Sequence, residues 1–330
     1  MLVYVFCFGL CRLLKARLIF AGSRDLDFGV FMTKKSLLVL ALAAAAFSSV
    51  HAEEALKKIK SSGSVTMGVR ESSGALSYTL GDGKYVGYHV EICQRVLADV
   101  QKQLGMPKLD IKYQPVTSQN RIPLVQNGTV DIECGSTTNN ATRQKDVAFA
   151  VTTFVEEVRM VVKASSGITA VSQLAGRTVA TTTGTTSVQT LRKHERATGI
   201  DFKEVFGKDH ADSFLLLESG RADAFVMDGS LLAGLVSRSK NPADYKIVGE
   251  VFSVEPIGIM FRKDDPAFKK AVDDSIKAMI KSGEIAKLYD KWLMQAIPPS
   301  NTKVGLPMSE SLKAALANPN DKPAEDYAKK

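Results

Sequence analysis

Three hydroxyl residues in a row, Ser136, Thr137 and Thr138, follow an apolar segment ending at Cys134, and Arg143 comes five residues later. These types suit a small anion: hydroxyls and a guanidinium donate hydrogen bonds, and a guanidinium can hold a carboxylate through two parallel ones. The stretch Ser118–Phe149 reads as an apolar helix, a break at Asn127-Gly128, a strand ending at Cys134 and a polar turn opening a second helix. A helix start there would add free N–H groups and a positive dipole end. Arg121 stands at the start of the first helix, the wrong end for a cation on electrostatic grounds, so its presence asks for a reason other than helix stability. Arg70, upstream, directly follows a strand pattern. Three guanidiniums exceed what one carboxylate needs, and a ligand with two negative groups is expected.

The elements that must position these residues alternate. Val65 to Val69 reads as a strand, Tyr88 to Leu104 as an amphipathic helix, Leu109 to Pro115 as a strand, Arg121 to Gln126 as a short helix and Val130 to Cys134 as a strand. Such alternation predicts an α/β sheet covered by helices. A second unit repeats the plan. Leu174–Val179 leads into TTTGTTS, Thr181 to Ser187, which opens a helix. The run LLLESGRADAFVMDG, Leu215 to Gly229, echoes IPLVQNGTVDIECGS: a helix, a Gly break, an Asp three residues after the Gly and a strand ending in a polar turn. Two equivalent lobes would bring their strand-end turns to a shared cleft, where open α/β sheets bind ligands. Of the two acids here, Asp228, at the second strand's end, is the better candidate for a site, and Asp223, inside the strand, is assigned to structure. Beyond Ile257–Arg262 come helices ending in SGEIAKLYDKWL and a Pro-, Asn- and Lys-rich tail with a short helix, Ser309 to Leu316.

Competing local readings exist for each residue. Arg143 has Asp146 as a nearby partner, Asp228 could be a helix cap, and His210 could cap the helix that follows it. His89 and His194 read as surface residues. No His or Cys pair has metal-ligand spacing, and no G-x-S-x-G, G-x-G-x-x-G or phosphate-loop motif occurs, so neither a metal nor a cofactor is expected.

The amino end is set apart. From Met32 the chain reads MTKKSLLVLALAAAAFSSVHA, two lysines, an apolar run and a small-residue site, which is the pattern of a secretory signal peptide (32–52) cleaved near Ala52. Residues 1–31 are read as a non-native upstream extension. The 330-residue chain has a formal net charge of +8. Without residues 1–52 the balance is 37 Lys/Arg against 33 Asp/Glu, an ordinary soluble surface, and no basic run or aromatic-basic interleaving points to nucleic acid. Cys93 and Cys134 are the two cysteines beyond the leader. In an oxidising compartment they are candidates for a disulfide, with two small buried thiols as the alternative.

Together, TSQNRIPLVQNGT, ECGSTTNN with Arg143, TTGTTS, KDHADSFLLLESGRA and the closing YDKW resemble the periplasmic solute-binding proteins of amino-acid ABC importers (solute-binding protein family 3), above all the glutamate/aspartate-binding branch, from about Ala55 to the tail. The resemblance implies a periplasmic-binding-protein-like fold of type II, α/β in class, with two lobes joined by two crossover strands near Phe154–Val161 and Phe252–Ile257. Lobe one would be 55–156 with 257–330, and lobe two 159–253. It further implies a monomeric periplasmic receptor, not an enzyme, that captures L-glutamate and L-aspartate and delivers them to a membrane permease complex. Carried over by position, Arg143, Thr138, Thr185 and Thr186 would hold the ligand's α-carboxylate. Asp228 and Ser136 would meet the ammonium, and Arg70, Arg121, Ser118 and His210 the side-chain carboxylate. The segment after Arg70, SSGALSY, departs from the family in offering little aromatic cover apart from Tyr78, and the family's acidic position after the Gly-aromatic pair is Glu91. The alternative on the same fold is a dehydratase acting on cyclic carboxylates, with His210 as its general acid.

Overall fold

A computed structural model describes residues 54–327 of the chain. The upstream extension 1–31 and the signal segment 32–52 lie outside the described residues. The first half of the chain supplies short strands β1 (Ser64–Val69), β2 (Ser72–Ser73), β3 (Ser77–Gly81), β4 (Lys84–Val86), β5 (Asp110–Pro115), β6 (Ile132–Glu133) and β7 (Val147–Phe149). The second supplies β8 (Phe154–Lys163), β9 (Thr178–Thr182), β10 (Lys203–Gly207), β11 (Ala224–Asp228), β12 (Tyr245–Ile257) and β13 (Met260–Arg262). Two five-stranded sheets result, ordered β5-β1-β6-β13-β7 and β10-β9-β11-β8-β12. In each, a first strand lies parallel between two others, and the sheet is completed by two antiparallel strands.

The internal echo in the sequence therefore corresponds to the same sheet plan. It extends to one hydrogen bond. Asp131, three residues after Gly128, accepts the Thr66 N–H at 2.8 Å, and Asp223, three residues after Gly220, accepts the Thr178 N–H at 2.9 Å. Each carboxylate satisfies a strand-start donor on the neighbouring first strand, which is a structural task.

Apolar faces on the helices close the sheets. In Tyr88–Gln103 the buried positions Ile92, Cys93, Val96 and Val100 follow helical spacing and join Met67, Val69 and Phe261 in one core. The second sheet packs Phe225 and Ala180 toward Phe214 and Leu217 on one side, and Val226 and Val179 toward Leu191 on the other. Cys93 and Cys134 form a disulfide with Cα atoms 6.3 Å apart, fastening this helix to the end of β6. Glu91 on the same helix accepts from Trp292 Nε1 at 2.8 Å and Lys291 Nζ at 2.6 Å, which docks the YDKW segment.

β8 and β12 are the long strands. They pair antiparallel from Phe154↔Ile257 to Lys163↔Tyr245, with an irregularity between Val248 and Ser253. Two expectations fail. The polar turn after β6 does not open an α-helix: Asn139 and Gln144 bond to the tail at Asp321, and only a 3-10 turn, Arg143–Lys145, forms. His89 is no surface residue but is fully buried, its Nδ1 paired with the Gly135 carbonyl and its Nε2 3.0 Å from Thr153 Oγ1.

Candidate functional site

The carboxyl ends of the parallel strands deliver the polar residues to one place. Arg70 is the first residue past β1 and is fully buried. Its Nη2 faces Ser118 Oγ at 3.1 Å, His210 Nε2 at 3.2 Å and Asp209 Oδ2 at 3.3 Å. Ser118 belongs to the first sheet's loops, while Asp209 and His210 begin a helix (His210–Glu218) of the second sheet's layer. Gly184 shows how closely the two strand-end loops approach. Its φ of +80° is natural for glycine, and a Cβ there would stand 2.8 Å from the backbone of Gln119.

Arg121 begins the helix Arg121–Gln126 and is 2% exposed. Nε and Nη1 of both Arg70 and Arg121 are buried without a hydrogen-bond partner in the protein. Burial first, then the charges of Arg143 and Arg70, push the Arg121 guanidinium well below its ordinary pKa. Unpaired buried cationic donors are expensive, and an anion between them removes the cost.

Arg143 lies in the 3-10 turn that follows β6. Its Nη1 donates to the Thr138 carbonyl at 2.9 Å and its Nη2 to the Gly184 carbonyl at 3.3 Å. Thr185 is buried, Thr186 half-buried, and Thr186 starts the helix Thr186–Thr198, so a helix start does exist on this side of the site. Asp228 closes β11 and is buried. Burial, then the negative charge of Glu255, raise its pKa from 3.8 to about 7, against the pull of Arg121, Arg143 and Arg70. Ser136 pairs with Ser73 across 3.0 Å.

His210 has a defined polarity. Arginine cannot accept, so Nε2 must carry the lone pair toward Arg70 and Nδ1 the proton toward Thr182 Oγ1 at 3.0 Å. Thr182 in turn meets Ser213 Oγ at 2.8 Å, which donates to the Thr181 carbonyl at 3.0 Å. Burial, then Arg70 and Arg121, hold the imidazole pKa well below 6.5.

Direct hydrogen bonds thus join Arg70 with Ser118 and His210, and Arg143 with the Thr138 carbonyl, while the Thr138 and Thr186 hydroxyl oxygens lie 3.3 Å apart. Arg121 and Asp228 are linked to these through charge, and Ser136 sits on the adjoining turn. Sequence reasoning overlooked four acids. Glu133, in β6, accepts from Thr137 Oγ1 at 2.6 Å and leaves Oε1 buried without a partner. Asp209 faces Arg70, Glu255 lies near Arg143 and Asp228, and Glu156, opposite Glu255 in the register, is bonded to Ser230. A cavity of about 490 Å³ is lined by Asn140, Arg143, Gly184, Thr185, Thr186 and Phe206. Among the described residues no cluster of His, Cys, Asp and Glu is arranged to hold a metal.

Comparison with known proteins agrees with this architecture. Residues 65–295 match the model of bacterial extracellular solute-binding proteins, family 3. The chain is 47% identical over 296 residues to the L-glutamate/L-aspartate-binding protein of Pseudomonas aeruginosa, covering 88% of this chain and 98% of that one. It is 44% identical to the glutamate/aspartate import solute-binding protein of Escherichia coli K12, covering 87% and 96%. Among solved structures, a mutant of ArgBP from T. maritima superposes with a TM-score of 0.64 at 29% identity, covering 72% of this chain and 98% of that one. The fold is the periplasmic-binding-protein-like fold of type II. The chain belongs to the bacterial extracellular solute-binding proteins, family 3.

Proposed function

We propose that this protein is a periplasmic receptor that captures L-glutamate and L-aspartate between two lobes and hands them to the permease of an ABC importer. The observation that carries this reading is the set of buried guanidinium donors on Arg70 and Arg121 with no partner in the protein. Arg143 and Asp228 are buried near enough for their charges to act on Arg121. A dicarboxylic amino acid supplies two anions and one cation to three guanidiniums and an acid. The relatives' names, glutamate/aspartate-binding and glutamate/aspartate import, support the same ligand.

In this reading lobe one comprises 55–156 and 257–330, lobe two 159–253, and β8 and β12 are the crossovers. The protein acts as a monomer, secreted by way of the 32–52 signal. Arg143, with Thr138, Thr185 and Thr186 around it, holds the α-carboxylate. Asp228, aided by Ser136, takes the ammonium. Arg70 and Arg121, with Ser118, hold the side-chain carboxylate. His210, expected beside the side-chain carboxylate, accepts from Arg70 through Nε2, and in this reading it orients that guanidinium. Because Arg143 and Asp228 sit in different lobes, a free amino acid bridges them only in the closed form, and this difference in affinity drives closure. Charge-assisted hydrogen bonds contribute roughly 1.5–3 kcal/mol each, so several of them, net of ordering costs, support micromolar or tighter binding, about −8 kcal/mol.

The dehydratase alternative needs an acid at His210. With Nε2 unprotonated and facing Arg70, and its pKa depressed, the ring is not an imidazolium and has no acidic proton to give at neutral pH; its remaining N–H points at Thr182. A thermal-shift screen of the twenty amino acids tests the proposal: glutamate and aspartate raise Tm and the others leave it unchanged. Stabilisation by neutral or basic amino acids alone would overturn it.

A further inference from the structure

The threonine hydroxyls around Arg143 are already in use. Thr138 Oγ1 and Thr186 Oγ1 each lie 2.7 Å from the same oxygen, Oε2 of Glu255. Thr185 Oγ1 donates to the Thr182 carbonyl at 2.8 Å. A hydroxyl has one proton, and one given to a carboxylate is not available to a second anion. Glu255 is 3% exposed, and its other oxygen accepts from Ser253 Oγ at 2.7 Å.

The places these residues occupy matter. Thr138 lies on the turn after β6, a strand of the first sheet, and forms an isolated bridge with Ile257 at the end of β12. Thr186 opens the helix following β9, on the side of the second. Glu255 sits between them on β12, the strand that runs from one sheet toward the other. One buried carboxylate oxygen therefore ties together the two walls flanking Arg143. Across the register stands Glu156, a second buried acid. Burying a carboxylate at position 255 costs stability that its three hydroxyl partners must offset.

We propose that Glu255 is an interlobe latch: it takes the hydroxyl protons of Thr138 and Thr186, holds the two walls of the cleft at closed spacing, and leaves the α-carboxylate of the ligand to Arg143 and the backbone N–H groups of the helix start at Thr186. Glu255 is thus a positioning residue that touches no ligand, and Thr138 and Thr186 act through it. The part concerning the ligand rests on the function proposed above; the part concerning closure does not.

A double-mutant cycle on the mature protein, read by glutamate affinity and dissociation rate, tests it. Glu255→Ala and Thr138→Val each weaken binding about tenfold, chiefly through faster dissociation, and the double variant is no weaker than about tenfold. Glu255→Gln, whose amide oxygen still accepts both hydroxyls, stays within about threefold of wild type. Losses that multiply to about a hundredfold in the double variant would mean that Thr138 contacts the ligand independently of Glu255, and would overturn the latch. So would a Gln variant as weak as the Ala variant, because charge rather than latching would then be responsible. Small-angle scattering of the ligand-free proteins separates this idea from the ligand assignment. Glu255→Ala, or Thr138→Val with Thr186→Val should the first variant fail to fold, gives a more extended particle than wild type. An unchanged particle overturns the latch even if glutamate binds, and failure of wild type to bind glutamate sinks only the proposed function.

Discussion

Arg70 and His210 meet across the two halves of the site, Nη2 to Nε2 at 3.2 Å, with the imidazole neutral and its proton on Nδ1. A histidine with a lone pair aimed at an arginine fixes that guanidinium without neutralising it, and the remaining donors, Nε and Nη1, stay available. His210→Ala is expected to weaken glutamate binding about tenfold, whereas His210→Gln, able to accept through its amide oxygen, recovers most of the loss. Because the ring is already neutral, His210→Gln leaves the pH dependence of affinity between about pH 5.5 and 8 the same as in wild type. Calorimetry across that range checks both statements.

Arg121 illustrates a conflict between stability and binding. A guanidinium buried with unpaired donors destabilises the ligand-free protein. Arg121→Met should raise the ligand-free Tm by a few degrees and lower glutamate affinity by at least about a hundredfold, a loss on the order of 2–5 kcal/mol for a stranded ligand charge. Thermal unfolding with and without glutamate measures both effects, and a variant that is less stable yet binds normally contradicts them.

Asp228 carries the pH dependence. Its pKa rises from 3.8 to about 7 on folding, through burial and then Glu255. The folded protein holds this proton more tightly than the unfolded chain, so the stabilising contribution is complete below the unfolded value and is lost as pH rises through the folded one. The Tm of the ligand-free wild type relative to Asp228→Asn should therefore fall from pH 4 to pH 7. Pairing with a ligand ammonium requires the ionised acid, so glutamate binding releases a proton near neutrality and tightens as pH rises from 5 to 7. Calorimetry in buffers of different ionisation enthalpy detects that proton.

The Cys93–Cys134 bridge closes a loop of 41 residues and ends one residue before the turn Gly135–Thr138. In the chain-entropy view it contributes about 4 kcal/mol. Thiol titration of the unfolded, unreduced protein should find no free thiol, and reduction should lower Tm and weaken glutamate binding modestly, because the turn bearing Ser136 and Thr138 loses its anchor.

The arginines were legible because each breaks a local rule or ends a recognisable element. Arg121 sits at the electrostatically wrong helix end, Arg70 and Asp228 directly follow or close strands, and the repeat built on Asp131 and Asp223 gave the sheet plan. The acids behind them were not. Glu133, Glu156 and Glu255 lie in strands, where a single carboxylate reads as the outward-facing member of an alternating pattern. Only the sheet register, Glu255 against Glu156, turns them inward. The turn after β6 looked like a helix start because its composition is that of a cap. Bonds from Asn139 and Gln144 to the distant tail at Asp321 set its actual path, and no local pattern records such a partner. His89 was misjudged for the same reason, since Gly135 and Thr153 lie far from it in sequence.

The most direct measurement compares L-glutamate with L-glutamine by calorimetry on the same preparation. The two differ by one charge at nearly constant shape, and that charge is the one Arg70 and Arg121 are proposed to receive. Glutamate should bind with a Kd of about 1 μM or tighter and glutamine at least tens-fold more weakly, since an amide leaves buried guanidiniums without a countercharge, a penalty on the order of 2–5 kcal/mol. Equal affinities for the two would contradict recognition of the side-chain acid by Arg70 and Arg121.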